Sequence, residues 1–345
     1  MWASFPILPS VSMACRMGLG LSGYVMQGAG ESAAGDDAAS AADALREPAA
    51  REWHEPVMAE TVLEWLNPRP GQTVVDGTAG TGGHSLSMLP RLLPGGKLLA
   101  IDRDRDALDC ARERLAAFGP HVEFVQDNFR SLPMVLQRLR LSRVDGILLD
   151  LGVSSLQLDR AERGFSFARE GPLDMRMDAR QGATAEALVN ALPASELAGM
   201  MQELGGERFA ARIARGIARE RCRERITTTR QLAQLVVRAV PSRARHGRLH
   251  VATRAFQALR MAVNDELGAL QALLDALPTL LAPGGRAVIL SYHSLEDRLV
   301  KQRFAHGLRE GIWTVLTRKP ARPMEREIAR NPRARSAKLR AVECR

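Results

Sequence analysis

The sequence has few aromatic residues, few cysteines and no long apolar segment. Phenylalanine, tryptophan and tyrosine make up 4% of its 345 residues, too few for a platform of stacked rings that binds single-stranded nucleic acid. The four cysteines lie far apart and form no C-x-x-C pair, which excludes a disulfide scaffold and a cysteine-rich zinc site and fits a reducing cytoplasm. No apolar run reaches the roughly 18 residues of a membrane span, so we expect a cytoplasmic protein without a membrane partner.

Charge is distributed unevenly along the chain. The formal net charge is +9, yet residues 1–50 carry five acids and only two arginines. The remainder is therefore strongly basic, which favours a polyanionic partner such as a nucleic acid. Residues 1–50 are rich in Ala, Ser, Gly and Asp and lack the pattern of a signal or transit peptide, so they are predicted to be a disordered extension.

From about residue 51 the chain alternates short apolar strands with helical stretches. Predicted strands cover residues 72–76, 97–102, 121–125, 144–150 and 286–291, with one more near 312–317, and predicted helices include residues 85–93, 107–118, 132–139, 265–281 and 295–304. This alternation is typical of β-α-β units in an α/β protein with a doubly wound, mostly parallel sheet.

The alternation is interrupted over residues 157–253, where no strand is predicted and helices follow a charged, glycine-containing loop. The sequence therefore predicts a discontinuous α/β domain formed by residues 51–156 and 254–345. Residues 157–253 are predicted to form an inserted helical domain that recognises the substrate.

A glycine-rich loop follows the first strand. Residues 77–83 read Gly-Thr-Ala-Gly-Thr-Gly-Gly, and Asp102 ends the second strand about twenty residues later. In open α/β sheets, such a loop allows close approach of a ligand, and an acid at that position accepts the hydroxyl groups of a ribose. An adenosine-bearing cofactor is favoured over a purely structural turn. The NAD fingerprint fits poorly because Ser85 occupies its last small-residue position, but these residues alone do not separate NAD from S-adenosylmethionine.

Eight ordered motifs carry a resemblance to a known family. They are HEPVM at 54–58, DGTAGTGGHS at 76–85, DLGVSS at 150–155, RGFSF at 163–167, GPLDMRMD at 171–178, TRAFQ at 253–257, SYHSLED at 291–297 and NPRAR at 331–335. With them the chain closely resembles the bacterial MraW (RsmH) family from about residue 53 to its end. Those enzymes use S-adenosylmethionine to methylate the N4 amine of a cytidine in the decoding region of 16S, or small-subunit, ribosomal RNA.

The resemblance implies a Rossmann-like methyltransferase fold and a set of cofactor-binding positions. These are Gly82, Gly83 and His84 in the loop, Asp102 for the ribose, Phe129 beside the adenine, and Asp150 and Gln157 after the fourth strand. Ala79 and Thr81 depart from many relatives, which carry Phe and Arg there, and the stretch between Phe304 and Asn331 lacks an insertion that some relatives have.

Asp150 is also a candidate catalytic residue. The cytosine amine is a poor nucleophile because its lone pair is delocalised into the ring, so a hydrogen-bond acceptor at the end of the fourth strand would help it react. Only the acid of the usual amino-methyltransferase motif is present in Asp150-Leu-Gly-Val, and cofactor contact or a structural role are the alternatives.

The predicted insert carries the basic surplus. Across residues 200–255 there are thirteen arginines and four glutamates, and arginine forks match phosphate geometry. Arg208, Arg212, Arg215 and Arg219 form a stripe beside an apolar one and are predicted to contact the RNA backbone, with a solvated surface as the alternative. Asp174 and Arg176, in an unusual loop of acids and methionines, are further candidates for substrate binding. No metal ligand set is predicted, since His246 and His250 lack a third partner.

Three functional classes follow. The first is a cytosine-N4 methyltransferase acting on small-subunit ribosomal RNA or on the assembled 30S subunit. The others are a non-catalytic RNA-binding assembly factor on the same fold and, less favoured, an NAD-dependent oxidoreductase. The sequence leaves the oligomeric state open.

Overall fold

The computed structural model describes residues 55–245 and 250–345, so the predicted disordered extension at 1–50 lies outside the described residues. Seven strands form one sheet in the order β3-β2-β1-β4-β5-β7-β6. The strands are β1 (Thr73–Asp76), β2 (Lys97–Asp102), β3 (Val122–Gln126), β4 (Val144–Asp150), β5 (Leu281–Ser291), β6 (Trp313–Val315) and β7 (Lys338–Cys344). Strands β1 to β5 pair in parallel, whereas β7 runs antiparallel to both β5 and β6.

Helices connect the strands and extend through the predicted insert. Along the chain they are α1 (Ala59–Leu66), α2 (Gly83–Leu92), α3 (Arg105–Arg114), α4 (Leu132–Arg138), α5 (Ser155–Asp159), α6 (Ala185–Ala191), α7 (Ala194–Gly205), α8 (Ala210–Arg221), α9 (Thr229–Ala239), α10 (Thr253–Asn264), α11 (Glu266–Leu280), α12 (Ser294–Arg309) and α13 (Glu325–Arg330). The α/β class with a doubly wound, mostly parallel sheet, predicted from the sequence, is confirmed.

Both faces of the sheet are buried because alternate strand residues enter different cores. Val75 and Leu149 pack with α4, α11 and α12, whereas Val74 and Leu148 pack with α1, α2 and α3. Strands covered on both faces become continuous apolar runs, which is why these segments are recognisable in the sequence.

A third apolar core belongs to the region between α5 and α11. It runs from Phe165 to Leu259 and includes the buried faces of α6 to α10. Within the described part of 157–253, Pro172 and Thr228 make an isolated bridge, but no strand is present. The helical content is as predicted, and the domain boundaries themselves stay a prediction.

Several elements differ in extent from the sequence prediction, and α12, at Ser294–Arg309, is longer than the predicted 295–304. For two elements the structure shows the reason. Helix α3 ends at Arg114 rather than at Phe118, because Leu115 leaves the α-helical conformation (φ −101°, ψ 7°) and the chain continues as the short 3₁₀ segment Ala116–His121. Strand β5 begins at Leu281, which already pairs with Val144, and the Pro-Gly-Gly turn forms an irregularity inside the strand.

Strand β7 was not predicted, because its charged residues look like part of a basic tail. The guanidinium Nε of Arg340 donates to Asp297 of α12 at 2.7 Å, and the Lys338 ammonium lies 3.0 Å from the same carboxylate. Neutralising these two cations allows the strand to be buried between β5 and β6.

Among the described residues, no helix combines the length and apolar character needed to cross a membrane.

Candidate active site

The carboxyl ends of the four parallel strands β1 to β4 bring the predicted site residues to one edge of the sheet. Strand β1 lies between β2 and β4, so the glycine loop after β1 is flanked by Asp102 at the end of β2 and Asp150 at the end of β4. Open α/β sheets bind their ligands at such an edge.

The glycine loop adopts a conformation that only glycine adopts without strain. Gly80 and Gly82 have φ angles of 52° and 81°, and Gly82 directly precedes α2. A Cβ on Gly82 would lie 3.4 Å from the Cα of Ala111 in α3, whereas a Cβ on Gly80 would meet only the carbonyl oxygen of Thr78, at 3.9 Å. The loop is therefore packed from behind by α3 and leaves its backbone accessible around Gly80.

Asp102 ties this loop to β2. One carboxylate oxygen accepts from the Gly80 N–H at 2.8 Å and the other from the Asp104 N–H at 2.9 Å. Burial raises the pKa of Asp102 to about 6, although these backbone hydrogen bonds oppose the shift. Each oxygen keeps a free acceptor position, so the carboxylate can still receive hydroxyl groups of a ribose.

Asp150 is held by groups from three different segments. The Tyr292 hydroxyl donates to its Oδ1 at 2.6 Å, and the backbone N–H of Asp150 donates to the Thr78 hydroxyl at 2.6 Å. The Nε2 of His84 lies 3.5 Å from Oδ2. Burial, and then Asp150 itself, raise the pKa of Tyr292 well above its ordinary value, so the phenol remains a donor at neutral pH.

His84 provides a direct test of whether a ligand fits here. Its side chain is 6% exposed, and its buried Nε2 has no aligned hydrogen-bond partner within the described part of the chain. An unpaired buried nitrogen is costly unless a ligand or water completes it. Together with the open backbone at Gly80 and the free acceptor positions of Asp102, this fits a polar, adenosine-bearing cofactor.

The other two predicted cofactor residues border the same edge. Phe129 follows β3 and lies close to Gly77 of the glycine loop. A Cβ built on Gly77 would be 3.3 Å from the Phe129 Cβ. Gln157 is buried in α5, where its amide oxygen accepts from the Ser154 N–H and its amide nitrogen donates to Asp104 at 2.8 Å. Gln157 thus fixes α5 against the start of α3.

The loop that contains Asp174 and Arg176 is anchored rather than free. The Arg176 side chain donates twice to the Asp174 carboxylate, at 2.8 Å each, which holds the pKa of that carboxyl below its usual range despite partial burial. Leu173 and Met175 are fully buried, and the Asn264 side chain bonds the backbone of Met175 and Met177. The two predicted substrate-binding residues therefore present a paired, rigid surface.

Arg163 connects this loop to the sheet edge. Its guanidinium forms an ion pair with buried Asp104 at 2.8 Å and donates to the carbonyl oxygens of Arg176 and Met177. Asp104 in turn follows Asp102 by two residues. Arg163 thus joins the predicted insert to the cofactor edge, in addition to the contact of Gln157 with Asp104.

The arginine stripe of the predicted insert faces solvent. Arg208, Arg212, Arg215 and Arg219 are all exposed, whereas Ile213 and Ile217 on the neighbouring face are buried. Among the described residues, none of these four arginines forms an ion pair with an acid, so their charge is available to a ligand.

A separate polar cluster joins the start of α11 to the start of α12. Glu266, His293 and Glu296 are close enough to hold a metal ion, but both Glu266 oxygens accept from the Arg260 guanidinium at 2.7 Å. The Arg260 guanidinium thus provides the positive charge that a metal ion would otherwise bring to these carboxylates. The cluster is therefore better described as a largely buried ion-pair network. His293 caps α12 through Nδ1 and faces Glu296.

We expect Asp102→Ala to lower the affinity for S-adenosylhomocysteine at least tenfold at pH 8. The reason is the loss of hydrogen bonds to a charged group, each worth roughly 1.5–3 kcal/mol. Isothermal titration calorimetry measures the change directly.

The pH dependence of the wild-type protein is the matching control. Because the ionised carboxylate is the better acceptor and its pKa is raised to about 6, affinity should fall as the pH decreases through that value. Asp102→Ala should lack this dependence. Wild-type affinity for S-adenosylhomocysteine in the Asp102→Ala protein would rule out the ribose assignment.

Sequence reasoning missed Tyr292, Thr78 and Arg163 as site residues. Tyr292 lies within the SYHSLED motif, Arg163 opens the RGFSF motif, and Thr78 lies within the glycine loop. The position of Tyr292 in the sequence could have identified it, because this residue directly follows β5, which ends at the same edge of the sheet as the other site residues. The pairing with Asp150 across 142 residues had no sequence signature.

Comparison with known proteins identifies the family of the chain. The family model described as the MraW methylase family matches residues 51–345. A ribosomal RNA small subunit methyltransferase H of Anaeromyxobacter sp. (strain K) is 50% identical over 84% of this chain and 97% of its own length. The protein of that name from Geobacter sulfurreducens is 49% identical over 84% of this chain and 98% of its own.

Among solved structures, a putative rRNA-methylase from Clostridium thermocellum covers 83% of this chain and 95% of its own, with 10% identity and a TM-score of 0.42. The family assignment rests on the sequence matches alone. With a family model that spans nearly the whole described region and relatives at about half identity, the chain belongs to the MraW methylase family.

Proposed function

We propose that this protein transfers a methyl group from S-adenosylmethionine to the N4 amine of a cytidine in the decoding region of small-subunit ribosomal RNA, in the cytoplasm. The observation that carries the proposal is the Asp150 carboxylate, oriented by Tyr292 beside the glycine loop and Asp102. Membership of the MraW methylase family favours methyl transfer over the NAD-dependent alternative.

The residues at the sheet edge have separable roles in the proposed reaction. When bound, S-adenosylmethionine supplies an electrophilic methyl group on its sulfonium. Asp102 would hold the ribose, the backbone of Gly82 and Gly83 would allow close approach, and Phe129 would border the adenine. His84 would complete its unpaired Nε2 with a polar group of the ligand.

Asp150 would act on the target amine. A hydrogen bond from the amine to the carboxylate favours a pyramidal nitrogen, whose lone pair is then available, and the carboxylate can take up the released proton. One oxygen of Asp150 is fixed by Tyr292 and the side chain is 24% exposed, so acceptor positions remain open to a ligand. Positioning of this kind supplies most of the catalysis in a direct displacement.

The predicted insert carries the positive charge that binding of an RNA substrate requires. The four stripe arginines, in α8 and just before it, offer a row of positive charge, and the rigid Asp174–Arg176 pair lies on the loop that Arg163 fixes to the cofactor edge. We propose that the stripe binds RNA phosphates and that the pair contacts RNA near the target.

Replacing all four stripe residues with Gln should weaken RNA binding and reduce its salt dependence. Every phosphate that the variant no longer neutralises lowers the slope of log affinity against log salt by about 0.7–0.9. Filter binding or fluorescence anisotropy from low to high salt measures the slope. Affinity for S-adenosylhomocysteine should hardly change, and an unaltered slope would mean that the stripe is a solvated surface.

The position of the methyl group tests the proposed reaction. Methylation at carbon 5 of cytosine requires a cysteine thiolate to attack the ring, whereas amine methylation has no covalent step. Cys110 and Cys344 are buried in α3 and β7, Cys222 directly follows α8, and Cys15 lies outside the described residues. A variant without any of the four cysteines should therefore keep its turnover within a few fold.

Mass spectrometry should show a methyl group at N4 in RNA methylated in vitro, and its loss from the ribosomal RNA of a deletion strain. A cysteine-free protein that folds and binds S-adenosylhomocysteine but transfers no methyl group would contradict the amine reaction. Intact cofactor binding with no transfer by the wild type would instead favour the non-catalytic assembly factor.

A further inference from the structure

A groove on the outer side of α9 is not explained by the cofactor site. It has a volume of about 360 Å³. Its lining includes Phe167, Arg230, Ala233, Val237, Arg238 and His250. None of these residues belongs to the proposed cofactor site or to the arginine stripe of α8.

The groove offers flat, apolar surfaces together with a hydrogen-bond donor. Phe167 packs edge-on against Phe256 at a ring-centroid distance of 4.9 Å, which fixes its position, and the His250 ring lies 4.7 Å from Phe167. The Nδ1 of His250 accepts from the Ala252 N–H, so Nε2 is the donor nitrogen of the neutral ring. These features suit a planar ring that carries acceptors on its edge, as a nucleobase does.

Two arginines line the margin of the groove, and each forms an exposed ion pair. Arg230 lies 3.3 Å from Glu170, and Arg238 lies 3.8 Å from Glu220, with both arginines about 60% exposed. Exposed pairs of this kind contribute only about 0–1 kcal/mol, so a phosphate can replace the carboxylate at little cost.

The groove also adjoins the arginine stripe. Helices α8 and α9 approach closely at Gly216 and Ala239, where a Cβ on the glycine would lie 3.8 Å from the Ala239 Cβ. Arg215 and Arg219 flank Gly216 on α8, and Arg238 precedes Ala239 on α9. Positive charge therefore continues from the stripe to the end of the groove.

We propose that this groove binds one unpaired nucleotide of the substrate RNA, other than the nucleotide that is methylated. Its base would pack against Phe167, His250 and Val237, and its phosphates would meet Arg230 and Arg238. The inference rests on the proposed function, because it takes RNA as the substrate. The arginines of the neighbouring stripe have no acidic partner among the described residues, and a phosphate can replace the exposed carboxylate partners of the two groove arginines. Both features favour RNA over a protein segment as the occupant.

Two variants test the groove without touching the cofactor edge. Val237→Trp fills the space, and Gln234→Glu, at another residue that lines the groove, adds a negative charge with no change in size. Gln202→Glu on α7 is the matched control, since it makes the same exchange at an exposed position that does not line the groove. All three proteins should bind S-adenosylhomocysteine like the wild type.

With small-subunit particles as substrate, Val237→Trp should raise KM by about 5- to 100-fold, the range expected for loss of one base–aromatic stack. Gln234→Glu should raise KM less, Gln202→Glu should leave it unchanged, and kcat should change little in all three. If the two groove variants behave like Gln202→Glu, the groove proposal is overturned while the proposed function stands. If the wild type methylates no cytidine amine, the proposed function itself fails.

A crosslinking experiment identifies the occupant independently. A photoreactive p-benzoylphenylalanine at position 234 should crosslink to ribosomal RNA in the particle, at a nucleotide distinct from the methylated cytidine. A crosslink to a ribosomal protein, or to the methylated nucleotide itself, would overturn the proposal.

Discussion

Asp150→Asn should reduce turnover by about 10²- to 10⁴-fold, the range over which a positioned proton acceptor contributes to catalysis. The amide keeps the size of the side chain and can still accept from the Tyr292 hydroxyl, but it carries no charge and takes up no proton. Single-turnover methylation of small-subunit particles measures the loss. Affinity for S-adenosylhomocysteine, measured by calorimetry, should fall by only a few fold.

Tyr292→Phe is the natural control for this experiment, because it removes the hydrogen bond and leaves the carboxylate in place. Its turnover should fall less than that of Asp150→Asn, because the variant keeps the charge of the carboxylate and its capacity to take up a proton. If Asp150→Asn loses cofactor affinity in proportion to turnover, Asp150 is a cofactor ligand and has no separate role in proton transfer.

Arg163→Met should lower the free energy of unfolding by about 3–5 kcal/mol, because it leaves a buried carboxylate without its cation. Asp104 is 2% exposed, and Arg163, itself mostly buried, is its ion-pair partner at 2.8 Å. The variant also loses the hydrogen bonds that anchor the backbone at Arg176 and Met177. Urea denaturation should show a lower midpoint with a similar slope.

Arg160→Met provides the comparison, because its ion pair with Asp106 is exposed and should contribute less than about 1 kcal/mol. Adding Asp104→Asn to Arg163→Met should recover part of the lost stability, since the uncompensated charge is then gone. Equal midpoints for Arg163→Met and Arg160→Met would show that the Asp104 ion pair contributes no more than an exposed one.

Much of the α/β fold was predictable because its central strands are buried on both faces. Strands β2 and β4 were predicted residue for residue, since continuous apolar runs ending in an acid mark them clearly. Strand β7 was missed because its alternating cations are neutralised by Asp297, which lies more than forty residues earlier in the chain. A local pattern does not contain such a partner.

Some residues of the candidate site could be predicted from the sequence, and others could not. The glycine loop, Asp102 and Asp150 follow strands directly, and parallel strands bring their carboxyl ends together, so position in the sequence was enough to select them. By contrast, Tyr292 on Asp150, Arg163 on Asp104 and the groove between α9 and Phe167 join residues from separate segments.

The sequence by itself determined the fold class and the family to which the chain belongs, and it selected the residues of the candidate ligand-binding edge. These properties depend on local periodicity and on ordered motifs, both of which can be identified in the amino-acid sequence alone. Only the tertiary structure decided which oxygen of Asp150 is occupied, how the predicted insert is fixed to the sheet edge, and which of the described arginines have no acidic partner. Those properties depend on distances between side chains far apart in the chain, and packing sets such distances only when the whole chain folds.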